Sequence, residues 1–353
     1  MTEPLLSVRD LSKHYTSRGT RLTILQGISF DIGKGEVVGL VGESGSGKTT
    51  IGRSVLRLVE PSAGSVRFDG TELTGLSSSE MRRARPRMQY IFQDPFASLS
   101  PRMTIGEILM EGLKIQGIGT SKERLERARK ALEQVDLPGD AVNRYAHEFS
   151  GGQRQRIGIA RALTLAPEFI VADEPVSALD VSIRSQILNL LRELQNRLGL
   201  AYIFVSHDLA VVKHIADHVA VMNLGQIVET AEADALFAAP SHPYSRALLS
   251  AIPVPKPQAK RSRIVLQGEI PSALNPRPGC RFHTRCPYVV ERCRSEMPQL
   301  ATDGIGHATA CHRTSELPSS AAIVPSDGGF SPVLEKLVAA FSGGPEAVRG
   351  SGV

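Results

Sequence analysis

From Leu6 to about Ile32 apolar and polar positions alternate, as in LLSVRDL and ILQGISFDI. A period of two marks strands covered on one face, so this stretch predicts an antiparallel side sheet. The run EVVGLVG (36–42) is continuously apolar and ends at glycine. It predicts a strand buried on both faces of a parallel sheet. A helix is expected from Lys48 to about Leu58. Between Pro95 and Gly152 the pattern becomes helical, most clearly in KERLERARKALEQV (122–135). FIVAD (169–173) and AYIFVS (201–206) read as two more buried strands around the helix SIRSQILNLLRELQNRL, and HVAVMN and QIVET as a last strand pair before a helix near Ala233–Ala238.

After Pro240 the pattern loses its period. IPVPKPQAK (252–260) reads as a Pro-rich linker into a segment rich in Pro, Arg and Gly. Beyond about Thr314 the Ser, Gly, Pro and Ala content predicts a loose tail, with VLEKLVAAF (333–341) as its one helical stretch. The expected division is a domain over 1–239 with a helical subdomain at about 95–160, an extension over 240–314 and a flexible tail over 315–353.

Composition changes this picture little. The 353 residues are 41% hydrophobic and 22% charged, an ordinary globular profile. The net charge of +5 is too small to argue for nucleic acid. The densest basic run, RRARPR (82–87), reads as a solvated face broken by Pro86. No stretch approaches the roughly 18 consecutive apolar residues of a membrane span. The opening MTEPLLSVRD has neither the basic flank nor the apolar core of a signal peptide, so a cytosolic chain is expected. All four cysteines fall between Cys280 and Cys311. In a reducing compartment such clustering points to a metal or cofactor sooner than to disulfides.

The strongest chemical signal is GESGSGKT (42–49), which fits G-x-x-x-x-G-K-[ST] between a buried strand and a helix. Gly42, Gly45 and Gly47 permit backbone conformations that a side chain blocks, so that N–H groups converge on phosphate oxygens. Lys48 is placed for the β- and γ-phosphates, and the Thr49 hydroxyl for Mg²⁺. Ser44, Ser46 and Thr50 complete the polar members of this cradle. Asp173 and Glu174 follow four apolar residues at a strand end. Asp173 can support Mg²⁺ directly or through water, and Glu174 can polarise a water for in-line attack. His207 and Gln93 also follow apolar strands, at the edge where parallel sheets bind ligands.

A second glycine-rich loop, FSGGQ (149–153), opens another helix about a hundred residues later. The order cradle, Gln93, FSGGQ, VADE, SALD (177–180), His207 resembles that of ATP-binding-cassette (ABC) ATPases, apart from Phe149 where the family pattern has Leu. The resemblance implies an α/β P-loop cassette with a parallel core sheet, an antiparallel side sheet and an inserted helical subdomain. It also implies head-to-tail dimers in which Ser150, Gly151, Gly152 and Gln153 serve the partner's ATP. Tyr15 would stack on adenine, Gln93 ligate Mg²⁺, Asp180 couple the two sites and His207 contact the γ-phosphate.

IFQDPFASLSPRMTIGEIL (91–109), DEPVSALDVSI (173–183), SHPYSRALLSAIPVP (241–255) and GEIPSALNPRPGCRFHTRCP (268–287) are similar to the ATPase subunits of oligopeptide and dipeptide importers, and PVSALDVS to the second of their two ATPases. The resemblance implies a heterodimer with a homologous ATPase, two permease subunits above it and an extracytoplasmic solute-binding protein, with the chain peripheral on the cytoplasmic face of the membrane. Nickel importers share much of this wording. The alternatives are a cassette acting on nucleic acid, against which the short interval and the lack of a heptad run speak, and one acting on ribosomes, which resembles two cassettes in one chain where this chain has one. The cysteines, separated by five, six and seventeen residues, contain no C-x-x-C pair. Cys280, Cys286, Cys293 and Cys311 could hold a [4Fe–4S] cluster, as in some members of the importer family. Zinc, with His283, His307 or His312, and unligated buried thiols are the competing readings.

Overall fold

Two sheets share the burial of this chain, described here from a computed structural model over residues 3–17, 20–94, 98–252, 264–268, 277–304 and 306–318. The tail helix expected at 333–341, residues 253–260 of the Pro-rich linker and residues 269–276 lie outside the described residues.

Strands β1 (Leu6–Ser17) and β2 (Thr20–Ile32) pair antiparallel, as their alternation predicts. Strand β3 (Val37–Val41) runs into the cradle and helix α1 (Lys48–Val55), which stops short of the expected Leu58. The chain turns there, with Arg57 in the left-handed region and the Leu58 amide bonded back to Arg53. Strands β4 (Ala63–Phe68) and β5 (Thr71–Glu72) complete the side sheet in the order β2-β1-β4-β5. Helix α2 (Ser78–Ala84) and β6 (Met88–Ile91) lead to the helical insert: α3 (Ile105–Ile115), α4 (Ser121–Glu133) and α5 (Gly151–Leu163). Each insert helix starts at a capping box, from Thr104 to Glu107, Thr120 to Glu123 and Ser150 to Gln153, which satisfies amides that would otherwise lack partners. RRARPR ends α2 and passes through a tight turn at Pro86; Arg82 and Arg83 are exposed as expected, but the rest of the run is half-buried, with Arg87 bonded to Glu168 and Asp69.

The second sheet takes β7 (Phe169–Asp173), β8 (Ala201–Ser206), β9 (His218–Asn223) and β10 (Gln226–Glu232), with α6 (Val181–Leu198) and α7 (Leu209–Ile215) between them. Helices α8 (Ala233–Ala238), α9 (Pro243–Ser250) and α10 (Glu291–Ser295) and the short strands β11 (Ala301–Thr302) and β12 (Ala308–Thr309) follow. The order is β11-β12-β10-β9-β3-β8-β7-β6, with β6, β7, β8, β3 and β9 mutually parallel.

The continuous apolar runs now have a physical reason. On β8, Tyr202 and Phe204 face the core under the helical insert, whereas Ala201, Ile203 and Val205 face the core under the side sheet. On β7, Ile170 and Ala172 take the first face and Phe169 and Val171 the second. Burying such a side chain contributes about 1.5–3 kcal/mol, so both faces must be apolar for these strands to stay central.

The segment after Pro240 is tied to this body more closely than its composition suggests. Strand β12 pairs with β10, and β11 with β12, so the extension lengthens the core sheet. Glu229 on β10 is fully buried. Its carboxylate accepts from the Ser241 amide (2.6 Å) and the His242 amide (2.9 Å) and meets His307 Nε2 at 2.6 Å.

Candidate nucleotide site

The cradle sits at the carboxyl end of β3, flanked by the same ends of β7 and β8, where the ends of parallel strands leave a crevice. Gly42 is required on steric grounds: a Cβ there would collide with the Met222 carbonyl. Gly45 has open space around it and a positive φ of 79°. Helix α1 begins at Gly47 without a side-chain cap, unlike the three insert helices. Its first amides and the positive end of its dipole are left for a bound anion. The Ser46 hydroxyl is buried without a hydrogen-bond partner, an orphan that a phosphate oxygen would satisfy.

The Lys48 ammonium donates to the carbonyls of Gly42 (2.8 Å) and Glu43 (2.9 Å). Burial lowers its pKa, and the charges of Glu174, Asp173 and Glu43 oppose that shift. Asp173 is almost fully buried, and both of its oxygens are engaged: Thr49 Oγ1 donates to one (2.9 Å) and the Tyr90 hydroxyl to the other (2.6 Å). The carboxylate therefore orients the Thr49 hydroxyl and leaves that oxygen's lone pairs for a cation, which favours indirect over direct support of Mg²⁺. Burial, followed by the Asp173 charge, raises the Tyr90 pKa, so the phenol remains a donor.

Glu174 is held between two side chains. Gln93 Nε2 donates to one oxygen (3.0 Å), and His207 Nδ1 lies 3.2 Å from the other. Its backbone occupies the left-handed region (φ 45°), which is costly for a non-glycine residue. The Glu174 amide donates to Val205 O (3.0 Å), and its carbonyl accepts from the Ser177 amide (3.2 Å) and hydroxyl (3.1 Å), which hold that conformation. Lys48, Thr49, Gln93, Asp173, Glu174 and His207 are thus linked, directly or through one neighbour, at one sheet edge. A carboxylate beside a cradle and an exposed imidazole is the arrangement that in-line attack on a terminal phosphate needs.

The other residues expected from sequence lie apart from this group. Tyr15 is 46% exposed on β1, with the Lys13 ammonium 4.6 Å from its ring centre. Asp180 occupies the N-cap position of α6, yet its side chain makes no capping bond. In the second loop Ser150 Oγ accepts from the Gln153 amide (3.3 Å), while Gln153 Oε1 accepts from the Ser150 amide (2.9 Å). Its two glycines differ. A Cβ on Gly152 would stand 2.5 Å from Ile183, so this glycine is needed for packing within the chain; around Gly151 only Leu179, at 3.9 Å, comes within 4 Å.

The four cysteines line one small cavity with His283 and His312, and about 10 Å³ of it is free. Burial pushes the thiols of Cys280 and Cys286 up to about 11 and about 12. Among the described residues no group of three or more His, Cys, Asp or Glu side chains is arranged to hold a metal ion. Of the histidines weighed for zinc, His307 is engaged with Glu229, His283 Nδ1 lies 2.7 Å from Cys280 O, and His312 Nε2 lies 3.0 Å from Glu296 O.

Sequence reasoning missed Tyr90, Glu43, Tyr244 and Arg285. Tyr90, three residues before Gln93 on an apolar strand, was the accessible one. The Glu43 amide donates to the Tyr244 hydroxyl (2.9 Å), and its carboxylate takes two bonds from Arg285 (2.6 and 2.8 Å). No local pattern announces contacts across more than two hundred residues.

Comparison with known proteins agrees with this geometry. Residues 25–177 match the family model "ABC transporter", and residues 228–293 match "Oligopeptide/dipeptide transporter, C-terminal region". A Brucella ovis protein provisionally named a peptide import ATP-binding protein is 69% identical over 314 residues, covering 89% of this chain and 99% of its own length. The oligopeptide transport ATP-binding protein AppF of Bacillus subtilis is 47% identical over 320 residues, covering 88% of this chain and 97% of its own. Among solved structures, the dimeric ATP-binding cassette MJ0796 in a post-hydrolysis state with ADP and Pi is similar, with a TM-score of 0.59, 28% identity, and coverage of 65% of this chain and 98% of that one. The chain belongs to the ATP-binding subunits of ABC transporters. Within them it carries the C-terminal region of the oligopeptide/dipeptide transporters. No helix among the described residues is long and apolar enough to cross a membrane.

Proposed function

We propose that this chain is the ATPase subunit of an ABC importer for di- or oligopeptides, which hydrolyses ATP at a cassette dimer interface to drive uptake through permease subunits. The observation that carries the reading is the gathering of Glu174, Gln93 and His207 beside the Lys48–Thr49–Asp173 cradle. Gly42, Ser44, Gly45, Ser46, Gly47, Lys48, Thr49 and Thr50 hold the phosphates, and Tyr15 takes the adenine. Thr49 and Gln93 hold Mg²⁺, with Asp173 acting through Thr49. Glu174 polarises the attacking water, and His207 contacts the γ-phosphate.

Ser150 to Gln153 serve the ATP of a partner cassette, a homologous second ATPase, and Asp180 couples the two sites. The open space at Gly151 supports this reading: it is the position in the loop where a phosphate could approach the backbone. The assembly sits on the cytoplasmic face of the membrane and receives its solute from an extracytoplasmic binding protein. In the test, the chain is purified from membranes with whatever accompanies it, and ATPase is assayed with peptide-loaded binding protein, nickel or nucleic acid. Stimulation by peptide with co-purifying permeases is expected. Stimulation by nickel reassigns the cargo, and stimulation by nucleic acid without permeases overturns the importer reading.

The four thiols line one cavity despite their irregular spacing, and as four soft donors they suit a thiophilic metal, although as placed they are not arranged around an ion. Either a single ion or a [4Fe–4S] cluster requires the thiols to rearrange. Anaerobic purification decides between them: a brown protein with about four irons per chain identifies the cluster, a colourless zinc-loaded one the single ion, and a metal-free protein removes both.

A further inference from the structure

The cradle contains a carboxylate that a phosphate site ought to avoid. Glu43 directly follows Gly42, and its charge is among the three that reach the Lys48 ammonium. Left alone, it would repel a polyphosphate entering the loop. It is not left alone. Arg285, from the cysteine segment, donates from Nη1 and Nη2 to the two carboxylate oxygens at 2.6 and 2.8 Å, a paired fork-to-fork bond. The Arg285 side chain is 8% exposed and that of Glu43 is 27% exposed, so solvent screens the pair incompletely. Tyr244 holds the same residue from behind, its hydroxyl accepting from the Glu43 amide, while the Glu43 carbonyl accepts from Lys48. Phe282 packs on the Tyr244 ring with centroids 5.3 Å apart, and its carbonyl accepts from the Arg285 amide (3.0 Å), so both anchors rest on one residue.

We propose that Arg285 is a positioning residue of the nucleotide site: it neutralises Glu43 and fixes the entrance of the phosphate loop, so that the cysteine segment forms part of the cradle. This deepens the reading of residues 42–50 as a triphosphate site and rests on it. The arginine touches no phosphate; it acts through the acid it covers. Its loss should therefore be felt in proportion to the charge of the ligand.

The test uses the full-length chain and competition against a fluorescent nucleotide, with MgATP, MgADP and adenosine as probes. R285A is expected to weaken MgATP roughly tenfold, MgADP less and adenosine not at all, with KM rising and kcat changing little. E43Q placed in the R285A background is expected to recover most of the loss, since the uncovered charge is then gone. An R285A protein that binds MgATP as tightly as the parent, an equal loss for adenosine and MgATP, or a loss that E43Q does not relieve would each overturn the proposal. R285K covers the case in which alanine does not fold: a few-fold loss confined to phosphorylated ligands supports the clamp, and equal losses refute it. A parent protein that fails to bind MgATP would instead sink the reading of the cradle itself.

Discussion

The phosphate loop and the FSGGQ loop are both glycine-rich turns that open a helix, but the chain finishes one and leaves the other open. Helix α1 starts without a side-chain cap, and around its first turn the protein supplies a lysine, a threonine, a braced aspartate and an orphan serine hydroxyl. Helix α5 starts with its cap closed by Ser150 and Gln153, one glycine pressed on Ile183 and the other in open space. The first loop is a half-site surrounded by its own chemistry. The second is capped and pre-shaped, with space left at Gly151, a form that suits the proposed action on a neighbour's ligand. On the proposed reading, pre-organisation within one chain and completion by another are separate structural tasks, divided between the two loops.

The sharpest way to break this contrast is at the completed half-site. Glu174→Gln keeps the shape of the residue held by Gln93 and Val205 but removes the base. Turnover should fall by about 10²–10⁴-fold while MgATP still binds and a nucleotide-trapped dimer accumulates on gel filtration. Turnover near the parent level would remove Glu174 from its role.

The next test separates the two glycines. Gly151→Val should leave the isolated chain folded and able to bind MgATP, yet lower dimer-dependent turnover on the order of a hundredfold, the scale of losing one oriented donor to a developing charge. Gly152→Val should act within the chain, through the clash with Ile183, with a loss of stability of about 1–3 kcal/mol. Equal loss of thermal stability in the two variants would erase the distinction.

The smallest effect concerns how the extension is fastened. The bond to Glu229, despite partial burial, raises the pKa of His307 above its usual 6.5. A raised folded-state value gives stability that is complete below about pH 6.5 and is lost as pH climbs through that value. His242, pushed down to about 4 by burial, is neutral across this range and does not offset it. Amide exchange in residues 306–312 should therefore quicken by a few-fold more, between pH 6.5 and 8.5, than the chemical pH dependence alone requires. In His307→Gln that excess should vanish; an unchanged excess would show that the pair does not fasten β12.

Much of the architecture was legible because its signals are local. The strand-to-helix context of GESGSGKT and the alternation before Ile32 each lie within a few residues. The strand ends at Gln93, Asp173, Glu174 and His207 were legible one at a time, through apolar runs that stop at a polar group. Short or half-exposed elements were not: β5, β11 and β12 carry two residues each, too few for a period to register, half of β4 is exposed, and α9 follows a Pro-rich opening that masks its helical character.

What the sequence determined by itself is the kind of chemistry: a cradle whose glycines and lysine must be contiguous to work, and two faces of apolar side chains on every central strand. What only the tertiary structure decided is how distant groups condition that chemistry. Tyr90 bracing Asp173, the left-handed turn at Glu174 fixed by Val205, and Arg285 covering Glu43 are contacts between elements far apart along the chain. The physical reason is range. Backbone conformation and burial pattern are set by near neighbours, whereas a charge is balanced by whatever the finished fold brings beside it.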